Sequence, residues 1–363
     1  MTLYQTIEQI RIDLDREYHS EVLIDLFGQP GAGKSSLINA LAGTTVAEIG
    51  VETDRTREAK VYPINNMQFR DLPGYGTELF PREGYLDQFR IVDTDLFLCV
   101  LSGKLRDIDV EFFHELQLRN KPCLFVVNKT DQLWEQGCTL DNLKERIRLD
   151  LQSRIESPIT VLFTSCRYGG REGGIDQLEE QIGHVLVGVK KARWYRSAYA
   201  YSEKFLEEKH KACAHSIKIA ASLAAANALN PIPGVDLAVD IGVLLKLFDN
   251  IRTSYGLNDE RLGILKNSNV AIMAQLANEI IRLLSREGIM MLLQRFALSE
   301  GIKEVARYVP FVGQLLAASM GFGITYKAGQ YYHDECCRLA REVLERETAP
   351  DLNPNTDFNR SIL

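Results

Sequence analysis

The sequence predicts an α/β domain, built on a mostly parallel six-stranded sheet with helices on both faces, followed by an all-helical domain. Three observations predict it. Apolar strand-like runs alternate with helical patterns from residue 21 to 187, which is the signature of a parallel sheet covered on both faces. The strand signal then vanishes, and Ala, Leu, Ile, Glu and Lys at helical spacing dominate to about residue 346. The first strand stops at a Gly-rich turn that leads straight into a helix. A chain of 363 residues exceeds the single-domain range and leaves room for a core in each part.

The elements follow in order. Leu3, Ile7, Ile10 and Leu14 lie at helical spacing and place an amphipathic helix within residues 1–20. Glu21 to Phe27, with apolar Val22, Leu23, Ile24, Leu26 and Phe27, reads as a buried strand and Ser35 to Leu41 as the helix after the turn. Further strands fall at Glu58 to Tyr62, Met67 to Leu72, Leu96 to Ser102, Cys123 to Asn128 and Ile159 to Ser165, with helices at Ile108 to Leu118, Leu140 to Ile155 and Ile175 to Val187. The runs near 58–72 are close enough in sequence to pair as an antiparallel edge hairpin. The α/β domain is thus expected over 21–187, the helical domain over 188–346 and a frayed tail over 347–363.

The basic, aromatic start of the helical part, Lys190 to Arg196, reads either as a solvated helix start with Trp194 and Tyr195 packed on a neighbour or as a contact for acidic lipid or a partner. Pro231, Gly234 and Gly242 are echoed 79 residues later by Pro310, Gly313 and Gly321, which predicts two helical hairpins turning at Pro-x-x-Gly elbows.

Composition narrows the class. At 45% hydrophobic and 25% charged the chain is ordinary for a globular protein. Its net charge of −7 argues against coating nucleic acid, so no nucleic-acid partner is expected. The acidity sits in residues 1–187, with 20 Lys+Arg against 30 Asp+Glu, while 188–345 carry 20 against 16. Seven cysteines form no C-x-x-C pair and no Cys/His spacing that closes around zinc. With no secretory leader pattern, they read as reduced thiols of a cytoplasmic protein.

The chemistry concentrates in Gly28-Gln29-Pro30-Gly31-Ala32-Gly33-Lys34-Ser35, which satisfies G-x-x-x-x-G-K-[ST] between a strand and a helix, and Ser36 follows it in the helix. The glycines let consecutive backbone N–H groups curl around an anion at the positive end of the helix dipole. Lys34 reaches the β- and γ-phosphates, and the Ser35 hydroxyl suits Mg²⁺. Asp71-Leu72-Pro73-Gly74 closes an apolar strand and sets a carboxylate beside the metal, with Gly74 N–H placed to sense a γ-phosphate. Asn128-Lys129-Thr130-Asp131 closes another strand, where the Asp131 carboxylate can accept two hydrogen bonds from a guanine edge, an arrangement adenine does not offer. Thr164-Ser165-Cys166 closes the last strand, and its backbone is expected against the base carbonyl. All of these strand ends lie where ligands bind in an open parallel sheet.

With these motifs in this order, residues 22–187 resemble a P-loop GTPase domain of the Ras and Era kind. The preceding helix and the large trailing helical domain together resemble the immunity-related GTPase group and its bacterial relatives. Asn230 to Asp236 resembles the helical domain attached to some Era-like bacterial GTPases. The resemblance implies a switch threonine that completes the Mg²⁺ shell, with Thr56 first and Thr53 as competitor. Lys34, Thr56, Asp71 and Gly74 then form the expected catalytic set, and Ser35, Thr56 and Asp71 the metal set.

The resemblance implies GTP hydrolysis to GDP and phosphate, with GTP/GDP and Mg²⁺ as ligands, nucleotide-dependent homo-oligomerisation and a membrane surface as further partner. Where Ras-like enzymes place glutamine after D-x-x-G, this chain has Tyr75, so slow intrinsic hydrolysis raised by self-association or a partner is expected. Residues 44–60 and 74–84 are expected to respond to the nucleotide and to move or assemble the helical domain. The alternative is a low-turnover switch that binds a protein partner without self-assembly. Tyr308 to Tyr326 is an uncharged 19-residue window that reads as a buried hairpin helix, a surface-inserting one or a span.

Overall fold

A computed structural model describes residues 20–47, 59–64, 67–167, 173–200, 202–229, 236–299 and 310–348. The helix expected within 1–20, the Pro231-x-x-Gly234 elbow and residues 349–363 of the tail lie outside them. The chain divides into two compact units, Glu21–Phe205 and a second that begins at Leu206.

In the first unit the order is β1 (Val22–Gly28), α1 (Lys34–Ala42), β2 (Lys60–Ile64), β3 (Met67–Asp71), α2 (Tyr85–Gln88), β4 (Leu96–Leu101), α3 (Asp107–Leu118), β5 (Cys123–Val127), α4 (Leu140–Ile155), β6 (Val161–Phe163), α5 (Ile175–Val185) and α6 (Gly188–Ser197). The sheet order is β2-β3-β1-β4-β5-β6. Every pairing is parallel except β2 with β3, the expected edge hairpin. Pro63, which has no N–H to give a second neighbour, sits on that edge strand.

The central strands are almost wholly apolar because both faces are covered: all six residues of β4 are buried, and the one charged residue of β1, Asp25, is buried in an ion pair with Arg70 at 2.6 Å. One face packs Phe27, Phe97, Cys99 and Phe125 against Phe112, Phe113 and Leu116 of α3. Parallel pairing carries the carboxyl ends of β1, β3, β5 and β6 to one edge, and every motif of the sequence reading begins at such an end.

Helix α6, where the sequence reading begins the helical domain, belongs to the first unit. Its aromatics decide this. Trp194 is fully buried and donates its indole N–H to the Glu179 carbonyl at 3.1 Å, while Gly183 makes room for the Tyr195 ring. These two aromatics pack on a neighbouring helix, one of the two readings of the segment, and Lys190 pairs with Asp95 at 2.9 Å.

Helix α7 (Glu203–Leu229) leads into the second unit, which continues with α8 (Asp236–Ser254), α9 (Asp259–Lys266), α10 (Ala271–Leu283), α11 (Arg286–Ser299) and α12 (Pro310–Thr348). Helix α12 packs on α8, α10 and α11, and Phe248 and Tyr332 stack face to face with centroids 4.0 Å apart. The expected second elbow does not turn: Pro310-x-x-Gly313 lies in the first turn of α12, and the helix runs on past Gly321. Proline is tolerated there because a first-turn N–H has no partner inside the helix. No helix of the described residues is long and apolar enough to cross a membrane. The Tyr308 to Tyr326 window lies within α12 except for residues 308 and 309, which fall outside the described part.

Candidate active site

The phosphate loop runs from the last residue of β1 to the first turn of α1. Its three glycines take positive φ: 121° at Gly28, 73° at Gly31 and 90° at Gly33. Two of them are also sterically required. A Cβ on Gly28 would collide with the Val100 carbonyl, and one on Gly33 would stand 2.5 Å from Asn128 Nδ2. Gln29 is partly buried and donates its side-chain N–H to the Lys104 carbonyl; Pro30 and Gly31 are the exposed tip, Ala32 is buried, and Ser35 and Ser36 are half-buried in the first turn of α1. The loop is thus a concave turn ending at a helix N-terminus, the arrangement that binds phosphate.

Asp71, the last residue of β3, pairs in register with Leu26 of the adjacent β1. Its Oδ1 is buried without a hydrogen bond and has Lys34 Nζ 3.5 Å away. Burial raises the Asp71 carboxyl above the ordinary carboxylate range, a larger effect than the opposing pull of Lys34. Lys34 also donates to the Gln29 carbonyl at 3.4 Å, so its ammonium is held over the loop.

The turn after Asp71 is fastened from outside the motif. The Tyr85 hydroxyl donates to the Pro73 carbonyl at 2.6 Å, and Thr77 Oγ1 donates to the Gly74 carbonyl at 3.0 Å. Tyr75 packs its ring 5.1 Å from Tyr85, edge-on, and 4.9 Å from Phe112. The expected switch threonine Thr56 and its competitor Thr53 lie outside the described residues.

On the other side of the loop Asn128, 2% exposed, donates Nδ2–H to the Ala32 carbonyl at 2.9 Å and to the Gly33 carbonyl at 3.4 Å. Its Oδ1 accepts from Thr164 Oγ1 at 3.1 Å and from Cys166 Sγ at 3.6 Å. Lys129 stands at φ 61°, the left-handed backbone that turns the strand end over the loop. Asp131 Oδ1 accepts from Ser165 Oγ at 2.6 Å, and Arg167 Nη1 stands 3.9 Å from Oδ2. Burial pushes the Cys166 thiol up to about 11, so it donates as a neutral thiol near pH 7.

The structure therefore brings Lys34 to Asp71, Asn128 to the loop, and Asp131 to Ser165. Ser165, expected to act through its backbone, bonds Asp131 with its hydroxyl. Sequence reasoning missed Tyr85, Arg167 and the side chain of Thr164. Nothing in the pattern marks Tyr85, because its partner lies 12 residues away across an irregular segment.

The interferon-inducible GTPase (IIGP) family matches residues 2–284 of the chain. The chain is 25% identical over 343 residues to interferon-gamma-inducible GTPase 10 of Mus musculus, covering 89% of this chain and 81% of that protein. It is also 25% identical over 371 residues to interferon-inducible GTPase 5 of Bos taurus, covering 91% and 77%. Among solved structures it is similar to Era of Aquifex aeolicus, with 20% identity, 56% of this chain and 68% of that chain covered, and a TM-score of 0.37.

Proposed function

The chain belongs to the interferon-inducible GTPase family, and from that premise we propose that it is a Mg²⁺-dependent GTPase whose nucleotide state drives self-assembly through the first unit. It binds guanine nucleotide and hydrolyses GTP. On this proposal Gly28 to Ser36 wrap the phosphates, Lys34 bridges the β- and γ-phosphates, and Asp131 selects guanine through two hydrogen bonds while Ser165 aims it. Ser35 and Asp71, with Thr56, would hold Mg²⁺, which neutralises phosphate charge during transfer. The buried, unbonded Oδ1 of Asp71 beside Lys34 supports that fit, because such an oxygen costs about 1–3 kcal/mol until it finds a partner. Water attacks the γ-phosphorus in line, and Lys34 with the loop N–H groups stabilises the charge that develops.

The observation that carries the self-assembly reading is the packing of Tyr75. Its ring packs on Tyr85 and Phe112, so the residue after D-x-x-G offers no carboxamide with which to orient water as glutamine does. A second copy is then the simplest source of the missing group, with the second unit as the part repositioned and a membrane surface as further partner. The protein acts in the cytoplasm and needs no nucleic acid in this reading.

Single-turnover GTP hydrolysis across protein concentration, with light scattering in parallel, tests it. We expect a rate that rises with concentration, together with scattering that appears with GTP and decays on hydrolysis. A slow, concentration-independent rate without scattering supports instead the low-turnover switch that binds a protein partner.

A further inference from the structure

A second polar site lies in the helical unit, far in sequence from any nucleotide motif. His210 projects from α7, and His333 and Asp334 project from α12. One ring nitrogen of each histidine and one Asp334 oxygen lie within 4.8 Å of one another. The two imidazoles stack with centroids 4.1 Å apart and planes 29° from parallel, and His210 Nε2 is 3.5 Å from Asp334 Oδ1. We propose that His210, His333 and Asp334 form a binding site for a divalent cation of the Zn²⁺ class, which ties α7 to α12.

Several features support a site built for a ligand. His333 is 1% exposed, so its imidazole is held in one place by the packing around it, with the His210 ring stacked on it. The buried hydroxyl of Tyr255 lies 2.7 Å from His333 Nε2 and fixes the plane of the ring, the kind of outer partner that metal-bound imidazoles carry. The other two donors sit at the rim: His210 is half-exposed and Asp334 exposed. An ion with bonds of about 2.1 Å needs donors roughly 3.4 Å apart, so those two close on it by side-chain rotation while His333 stays fixed.

Two imidazoles and one carboxylate suit Zn²⁺, Co²⁺ or Ni²⁺, whereas Mg²⁺ prefers an all-oxygen shell. Three protein ligands leave a fourth position for water. The site is independent of the proposed self-assembly and of the nucleotide-site metal.

The test uses the full chain saturated with GDP and excess Mg²⁺, so that the nucleotide site is filled, and titrates Co²⁺ as a spectroscopic probe. We expect one equivalent of Co²⁺ to give a visible ligand-field band that Zn²⁺ abolishes, and Zn²⁺ to raise the melting temperature. H210N and D334N change rim residues, so their melting without added metal should match the parent, while Co²⁺ affinity falls more than about tenfold. No band under these conditions overturns the proposal, as does a band of undiminished affinity in both variants.

Discussion

Around Asp131 the chain supplies its own partners, with Ser165 on one carboxylate oxygen at 2.6 Å and Asn128 tied to the loop, to Thr164 and to Cys166, whereas across the loop Asp71 Oδ1 has only Lys34 at 3.5 Å and no hydrogen bond. The side chains of the base side are already held in place by bonds within the chain, so under the proposed function little ordering remains for a guanine to impose. The phosphate side keeps a buried carboxylate oxygen without a hydrogen bond and a lysine 3.5 Å from it; in the proposed function these two charges are the ones that meet the metal and the triphosphate. The difference teaches that recognition and chemistry place opposite demands on one loop. Selecting a base calls for fixed acceptors, and stabilising a transferring phosphoryl group calls for charge that gains most in the transition state.

Three substitutions break or sharpen that contrast. K34A removes the cation on the phosphate side and should lower kcat/KM for GTP about 10³-fold, read by phosphate release. GDP affinity should fall much less, since Asp131 and Asn128 are untouched. An equal loss of GDP binding would show that the two sides are not separable. D131N replaces the double acceptor by a group that is half donor, and should weaken guanine binding by about 3 kcal/mol, roughly 100-fold, in calorimetry. The same change should favour a purine with a carbonyl where guanine has its amino group. S165A leaves the carboxylate but removes the hydroxyl that aims it, and should cost about tenfold in GDP affinity with kcat little changed. A loss as large as that of D131N would mean that Ser165 meets the base itself.

Much of this was legible in the sequence because the signals are local. The phosphate loop, D-x-x-G and N-K-x-D each lie within a few residues at a strand end, and the alternation of apolar runs with helical patterns dictated the parallel sheet. The strand limits agree with the structure to within a few residues. The helical unit was less legible: the Pro310-x-x-Gly313 string reads as an elbow, yet it opens a 39-residue helix, since a proline in a first turn breaks nothing. Tyr75 could be recognised as unlike glutamine, but not as a ring packed between Tyr85 and Phe112.

By itself, then, the sequence determined which residues bear charge, which turns need glycine and which strand ends they close, because those properties depend on neighbours along the chain. Only the tertiary structure decided that Asn128 clasps a loop 96 residues away, that Ser165 donates to Asp131 across 34 residues, and that His210 meets Asp334 across 124 residues. Spacing along the chain had shown no cluster able to close around zinc. Such pairs are set by strand order and helix packing, which bring together side chains whose separation in sequence carries no information about their separation in space.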